Sequence, residues 1–331
     1  MSENEDDRLV GILFGKDRYR LGKKITAGSF GEIREGIIIA TGEKVAVKLE
    51  SVEVPEKQLL LEWNFYRALD CLTPNSPLGF PRCHSFTKVD KYSALVMEWL
   101  GPTLENKFQS CNQQFTFKTV CQLARQLIDR FEYIHSKHML YRDIKPENFL
   151  LGDQDNPLEK NIVHIVDFGL SKFYIDEKTK AHVLLSANRR TIGTLRYMSI
   201  KSLFKYEQCR RDDLEAVGYV LLYFASGGKL PWMGLAGSTQ ERVQKIANLK
   251  QDTLNKIDEY CEQRNIPKQL ADYMKCLREV SFEQRPNYDK LKSFFSDYLI
   301  EQNLPFDEVY DWDLGNIDSN LTNDTTTPDA T

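Results

Sequence analysis

The sequence predicts an α+β protein of two lobes, a small β-rich amino-terminal lobe and a larger helical carboxy-terminal one. Three observations carry this prediction. Before Pro102 the chain holds short segments rich in β-branched residues, broken by Gly-bearing turns such as Thr41-Gly42. After Pro102 the apolar residues change to a spacing of three and four, the period of a helix face. With 331 residues, 41% hydrophobic and 28% charged, the chain exceeds one small core and has an ordinary globular composition.

The strands are expected at Tyr19–Gly22, Glu32–Gly36, Lys44–Leu49 and Ser93–Met97, the last stopped by Gly101-Pro102. Gln58–Leu69 reads as one helix among them. In Thr116–Lys137 the residues Val120, Leu123, Ala124, Leu127, Ile128, Phe131 and Ile134 share one helical face, with Thr116 as the N-cap. Further helices are expected at Asp212–Phe224, Thr239–Ile246, Gln269–Val280 and Asn287–Tyr298. The domain division is then an acidic extension over 1–14, a domain over 15–313 and an acidic, disordered tail over 314–331. Within the domain the first lobe spans about 15–97, a hinge 98–102, and the second lobe 103–313.

The net charge of −4 conceals an uneven distribution. Residues 1–7 carry four acids and 301–331 carry eight, with no base in either. The body between them is therefore +8, which suits an acidic or phosphorylated partner. The start MSENEDD is acidic where a secretory leader would be basic, and residue 2 is not the glycine of a myristoylation signal. The seven cysteines show no C-x-x-C spacing and the five histidines no zinc pattern. A soluble monomer of the cytoplasm or nucleus is expected, with reduced thiols, no lipid anchor and no nucleic-acid partner.

The chemistry is concentrated in four places. Ile25-Thr26-Ala27-Gly28-Ser29-Phe30-Gly31 lies between two strands, where glycines let backbone N–H groups approach phosphate oxygens; a plain Gly-rich hairpin reads the same way. Val45-Ala46-Val47-Lys48 follows, and Glu62 stands 14 residues beyond Lys48 in a helical pattern, placed to pair with it. The strongest signal is Tyr141-Arg142-Asp143-Ile144-Lys145-Pro146-Glu147-Asn148, with Asp167-Phe168-Gly169 beginning 19 residues after Asn148. Phosphoryl transfer needs a carboxylate for the attacking hydroxyl, hard oxygen ligands for Mg²⁺, and cations on the transferred phosphate. Asp143 fits the first need, Asn148 and Asp167 the second, Lys145 and Lys48 the third.

These motifs, in this order, resemble a eukaryotic protein kinase. Gly193-Thr194-Leu195-Arg196-Tyr197-Met198-Ser199-Ile200, standing where most kinases carry Ala-Pro-Glu, is similar to the casein kinase I family. So are Arg210-Arg211-Asp212-Asp213-Leu214-Glu215 and Leu230-Pro231-Trp232-x-Gly234-Leu235. Tyr141 and Phe173-Tyr174-Ile175-Asp176 lean toward its gamma-type branch, and the resemblance covers about residues 15–313. It implies a bilobed protein-kinase fold, ATP and Mg²⁺ as cofactors, and transfer to Ser or Thr in acidic or phosphate-primed proteins. By the same resemblance Ile25, Gly28, Ser29, Phe30, Gly31, Ile33, Ala46, Lys48, Met97, Glu98 and Leu100 bind ATP. Met97 aligns with the gatekeeper, and Glu98 and Leu100 with the hinge backbone that bonds adenine. Arg196, Gly234 and Arg242 align with an anion site reading an acid or phosphate three residues before the target. Arg142, Lys172 and Arg189 align with a second anion site beside the activation segment, and Asp213 with a residue that holds the catalytic-loop backbone.

Three positions depart from the kinase pattern. Thr26 stands for the first loop glycine and Tyr141 for the usual His, and Arg285 has lost its Glu partner with Ala-Pro-Glu. Two other classes compete with an active protein kinase. A pseudokinase scaffold has only Thr26 in its favour. A small-molecule phosphotransferase would not need the long segment Asp167–Ile200 or the helical body after it. Thr327, with Asp324 three residues before it, is expected to be a site of slow autophosphorylation in an inhibitory tail.

Overall fold

Val45, Val47 and Leu49 alternate with Ala46 and Lys48, so one strand must present an apolar side and a chemical side, and the fold of the first part follows from that. A computed structural model describes residues 8–28 and 31–314. In chain order the strands and helices are β1 (Leu13–Phe14), β2 (Tyr19–Gly28), β3 (Gly31–Ile38), β4 (Lys44–Ser51), α1 (Gln58–Ala68), β5 (Cys83–Val89), β6 (Tyr92–Glu98), α2 (Leu104–Ser110), α3 (Phe117–Ser136), β7 (Met139–Leu140), β8 (Phe149–Leu151), β9 (Val163–Ile165), β10 (Lys172–Phe173), α4 (Ile200–Leu203), α5 (Arg210–Ala225), α6 (Thr239–Asn255), α7 (Ile257–Glu262), α8 (Lys268–Arg278), α9 (Tyr288–Glu301) and α10 (Asp311–Leu314). They fall into two units. The first holds the chain up to Pro102 together with Phe149–Ser171, and the second holds Thr103–Asn148 and the chain from Lys172 onward.

The first unit is built on an antiparallel sheet in the order β1-β2-β3-β4-β6-β5. Ile33 lies opposite Lys48, and Lys48 opposite Leu95; Glu35 lies opposite Ala46, and Ala46 opposite Met97. Directly opposed residues share a face, and a strand returns to that face every second residue. Ile33, Ala46, Lys48 and Met97 therefore stand on one side. Val45, Val47, Leu49, Ala94 and Val96 stand on the other, buried in a cluster with Leu9, Phe14, Tyr19 and Leu21. That cluster corrects the expected extension over residues 1–14. Leu9 and Phe14 belong to the core, Ile12 packs against it, and β1 pairs with β2. The apolar residues at 9, 12 and 14 cover the sheet face that Lys48 does not occupy.

Residues 149–171 are the second correction, because the sequence assigns them to the helical lobe. β8 and β9 form an antiparallel pair joined to the first unit by main-chain bonds. Gly101 N donates to Leu151 O at 2.8 Å, Leu151 N to Pro102 O at 2.9 Å, and Ile165 N to Gly79 O at 2.9 Å. The chain thus returns to the strand-rich unit with Asp167 at the end of the excursion.

The second unit is organised on α3. Thr116 caps it as expected, its side chain accepting from Thr119 N. The predicted apolar face is buried, and α3 packs on α5 and α9. A carboxy-terminal strap lies along the same helix. Asp311 accepts from Thr116 N at 2.6 Å and from its Oγ1 at 2.9 Å. Gln122 donates to Val309 O at 2.9 Å and accepts from Glu308 N at 2.8 Å. Tyr310 and Trp312 stack with centroids 4.5 Å apart, and both are buried. α6 runs nine residues past its expected end, and Leu314 closes α10 rather than opening the tail. The other tail residues, with Asp324 and Thr327, lie outside the described residues, as do Ser29 and Phe30. Among the described residues no helix is long and apolar enough to cross a membrane.

Candidate active site

The first unit holds one constellation. Lys48 on β4 donates to Glu62 Oε2 on α1 at 2.7 Å and to Asp167 Oδ1 at 2.9 Å. Burial alone would lower the ammonium's pKa, but the charges of Glu62 and Asp167 outweigh it and hold Lys48 above its ordinary value. Asp167 has φ +64°, a left-handed conformation rare for a non-glycine. It is held there from α1: Asp167 N donates to Tyr66 Oη at 3.2 Å, and the Tyr66 ring meets Phe168 edge-on at 5.0 Å.

The first unit also carries the other nucleotide candidates. Gly28 and Gly31 pair across the β2–β3 turn. Gly31 has φ +133°, and a Cβ there would sit 1.9 Å from Leu49 O, so only glycine fits. Ser29 and Phe30 lie outside the described residues. Ile25 is half exposed on β2, while Met97 is buried. Glu98 spends its N–H on Arg82 O at 2.8 Å, and its carboxylate accepts from Arg82 N at 2.9 Å. The Leu100 amide has no main-chain partner among the described residues.

The second unit holds the other constellation. Asp143 is nearly buried, and three donors converge on its carboxylate. Lys145 Nζ reaches Oδ2 at 2.8 Å, Asn148 Nδ2 reaches Oδ2 at 3.3 Å, and Thr194 Oγ1 reaches Oδ1 at 2.9 Å. Asn148 Nδ2 also donates to Asp143 O at 3.0 Å, so its amide oxygen is the atom free to act as a hard ligand. The loop itself is held by Asp213, as expected. Its carboxylate accepts from Tyr141 N at 2.8 Å and Arg142 N at 2.9 Å. His135 Nε2 lies 3.1 Å from the same carboxylate, and burial pushes this imidazole's pKa down. Tyr141, in the place of the usual His, packs edge-on against Phe131 at 5.9 Å.

Sequence reasoning missed two residues here. Thr194 was noted only within a family motif, yet its hydroxyl contacts Asp143 directly; nothing local in the sequence marks that pairing. Lys250 on α6 is fully buried and donates to the main-chain oxygens of Leu195 and Met198. Its ammonium lies over the rings of Tyr219 at 4.1 Å and Trp232 at 5.2 Å. Burial pushes its pKa well below the ordinary lysine range, against the charge of Glu215.

Lys250 also bears on the lost Ala-Pro-Glu pair. Arg285 bonds Glu132 at 2.9 Å on the surface. The segment it would otherwise help to fix is anchored from elsewhere. Lys250 takes two carbonyls, Ser199 Oγ donates to Asp212 at 2.6 Å, and Ile200 N donates to Glu215 at 2.8 Å. We expect Lys250→Met to keep the packing and orphan those carbonyls, costing about 1–3 kcal/mol for each one left unpaired. Thermal unfolding of the variant checks this, and an unchanged Tm refutes it.

The two anion candidates fare differently. Arg196 is half-buried, its guanidinium 5.7 Å from the ring centroids of both Tyr197 and Tyr223, and its carbonyl accepts from Trp232 Nε1 at 2.7 Å. Gly234 has φ +71° with open space around it. Arg242 is exposed in the first turn of α6, and among the described residues no ion pair engages it. In the second group, Lys172 pairs with Glu207 at 2.7 Å and Arg189 pairs with the other oxygen of the same carboxylate. The expected external anion is thus met by one of the chain's own.

Comparison with family models finds a protein kinase domain. The model of the protein kinase domain matches residues 19–295, a span that contains both constellations. The family implies use of ATP and a divalent cation in general, and each unit carries an oxygen donor of the hard type, Asp167 in the first and Asn148 in the second. With the Lys48–Glu62–Asp167 and Asp143–Lys145–Asn148 groups inside the matched span, the chain belongs to the protein kinase family.

Proposed function

We propose that the protein is an active Ser/Thr kinase of casein kinase I type, using ATP and Mg²⁺ on acidic or phosphate-primed protein substrates. The observation that carries this reading is the convergence of Lys145, Asn148 and Thr194 on Asp143. A carboxylate so oriented keeps lone pairs to accept the proton of an incoming Ser or Thr hydroxyl. Lys145 supplies positive charge where the transferred phosphoryl group accumulates negative charge. Lys48, fixed by Glu62, directs an ammonium at the nucleotide phosphates. Asn148 and Asp167 would hold Mg²⁺, which when bound neutralises charge on the phosphate oxygens.

A pseudokinase scaffold is disfavoured by the intact Lys48–Glu62 pair and by the oriented Asp143. Transfer of γ-phosphate to casein and to a phosphate-primed peptide decides between them: the scaffold transfers to neither. Acidic or primed substrates are supported by Arg196, a half-buried guanidinium on the segment that follows Thr194. Location in the cytoplasm or nucleus, a monomeric state, and the absence of lipid or nucleic-acid partners belong to the same proposal.

Activity should not depend on phosphorylation of the activation segment. Thr194 already spends its hydroxyl on Asp143, so a phosphate there would break the bond. Phosphatase-treated enzyme is expected to keep its full rate; inactivation that is reversed by phosphorylation at Thr191 or Thr194 would show the opposite.

A further inference from the structure

Kinases commonly order the activation segment by placing a phosphate against basic residues, one of them the Arg beside the catalytic Asp. In this chain the equivalent cations meet a carboxylate. Glu207, between α4 and α5, is nearly buried, with Lys172 on one oxygen at 2.7 Å and Arg189 on the other. The charges of Glu207, Arg189 and Asp213 act on Arg142 as well. The same stretch is joined through the main chain. Glu207 N donates to Ser186 O at 2.8 Å, and Arg189 N donates to Lys205 O at 2.9 Å.

Each cation leads toward Asp143. Lys172 lies on β10, which pairs with β7, and β7 runs directly into Tyr141-Arg142-Asp143. Arg189 precedes Gly193 and Thr194. Gly193 passes so close to Arg142 O that a Cβ would lie 2.4 Å from it, and Thr194 bonds Asp143. A bidentate carboxylate bridging Lys172 and Arg189 therefore ties together the segments that orient the catalytic Asp.

We propose that Glu207 is a built-in activation anion, a positioning residue that does the work of an activation-segment phosphate and keeps this kinase constitutively competent. The inference rests on the kinase reading above. It has its own failure mode, since wild-type transfer to casein tests that reading and the variants below test this one.

The experiment is anion rescue. Glu207→Ala removes the carboxylate and leaves room for a small anion among the cations. Its kcat on casein should fall by about ten- to a hundredfold, the range expected for bonds to charged groups. Sulfate or acetate, at constant ionic strength made up with chloride, should restore much of the loss, while the wild type should not respond. Arg189→Gln, which removes a half-exposed guanidinium and so does not endanger folding, should also lose kcat and should gain nothing from either anion. Wild-type kcat in either variant overturns the proposal. So does a folded Glu207→Ala enzyme that stays inactive in both anions, because that identifies a merely structural contact.

Discussion

Asp143→Asn should lose on the order of 10³-fold in kcat, about 4 kcal/mol of transition-state stabilisation, while nucleotide affinity should stay near the wild-type value. The geometry explains the size of the effect. Lys145, Asn148 and Thr194 all donate to this carboxylate, so the carboxylate is aimed but not exhausted as an acceptor. An Asn side chain turns one acceptor into a donor facing other donors, and it cannot take up a proton. In the proposed role the group acts on the hydroxyl of the substrate, so the loss belongs to the chemical step and not to ATP binding. Steady-state kinetics at saturating ATP and peptide, beside nucleotide titration, separate the two. A variant within tenfold of wild-type kcat would remove Asp143 from the catalytic role.

Arg196→Ala should lower kcat/KM for a pSer-x-x-Ser peptide by about ten- to a hundredfold, about 1.4–2.8 kcal/mol. A phosphate carries about −1.5 to −2 charge and three acceptor oxygens, more than a carboxylate offers. The primed phosphate does not react, so it is held alike in ground and transition states, and the loss falls mainly on KM. In the proposed role Arg196 is held by its neighbours: Trp232 bonds its carbonyl, and two tyrosine rings flank its guanidinium. An unprimed, uncharged peptide should be much less affected. Arg242→Ala should act in the same direction but more weakly, since that side chain stands exposed and no ion pair among the described residues aims it. The decisive comparison sets wild type and Arg196→Ala against primed and unprimed peptide. Equal losses on both peptides would mean that Arg196 supports the fold and that the anion is read elsewhere.

What the sequence revealed was whatever has a short period or a fixed spacing. α3 was legible because seven apolar residues repeat every three or four positions. The Lys48 strand was legible because alternation with Val45, Val47 and Leu49 forces the lysine to the opposite face. Asp143, Asn148 and Asp167 were legible as a motif. By contrast, α2 spans seven residues with only Leu104 and Phe108 buried, too short to show a period. β5, an edge strand reading CHSFTKV, lacks clean alternation. The contacts that complete the second constellation are long-range. Thr194 lies 51 residues from Asp143, and Lys250 lies 52 from Met198. The carboxylate of Glu207 is 35 residues from Lys172. No local pattern announces such pairs, because only the folded chain brings them together. Residues 149–171 fall with the strand-rich unit for the same reason, since beyond their own β8–β9 pairing they bond Gly79, Gly101 and Pro102.

The strap along α3 bears on the order in which the molecule is made. Thr116 and Asp311 are separated by 195 residues, so during synthesis the helix leaves the ribosome long before the group that seals its first turn. At roughly 5–20 residues per second that interval lasts about 10–40 s. Throughout it the buried acceptor and donor of Gln122 have no partners at 308 and 309, and the side of α3 that Tyr310 will cover is open to water. The second unit therefore finishes folding only after residues 308–311 have emerged. A ribosome stalled short of residue 307 would hold a nascent chain with its central helix uncovered, a ready client for chaperones.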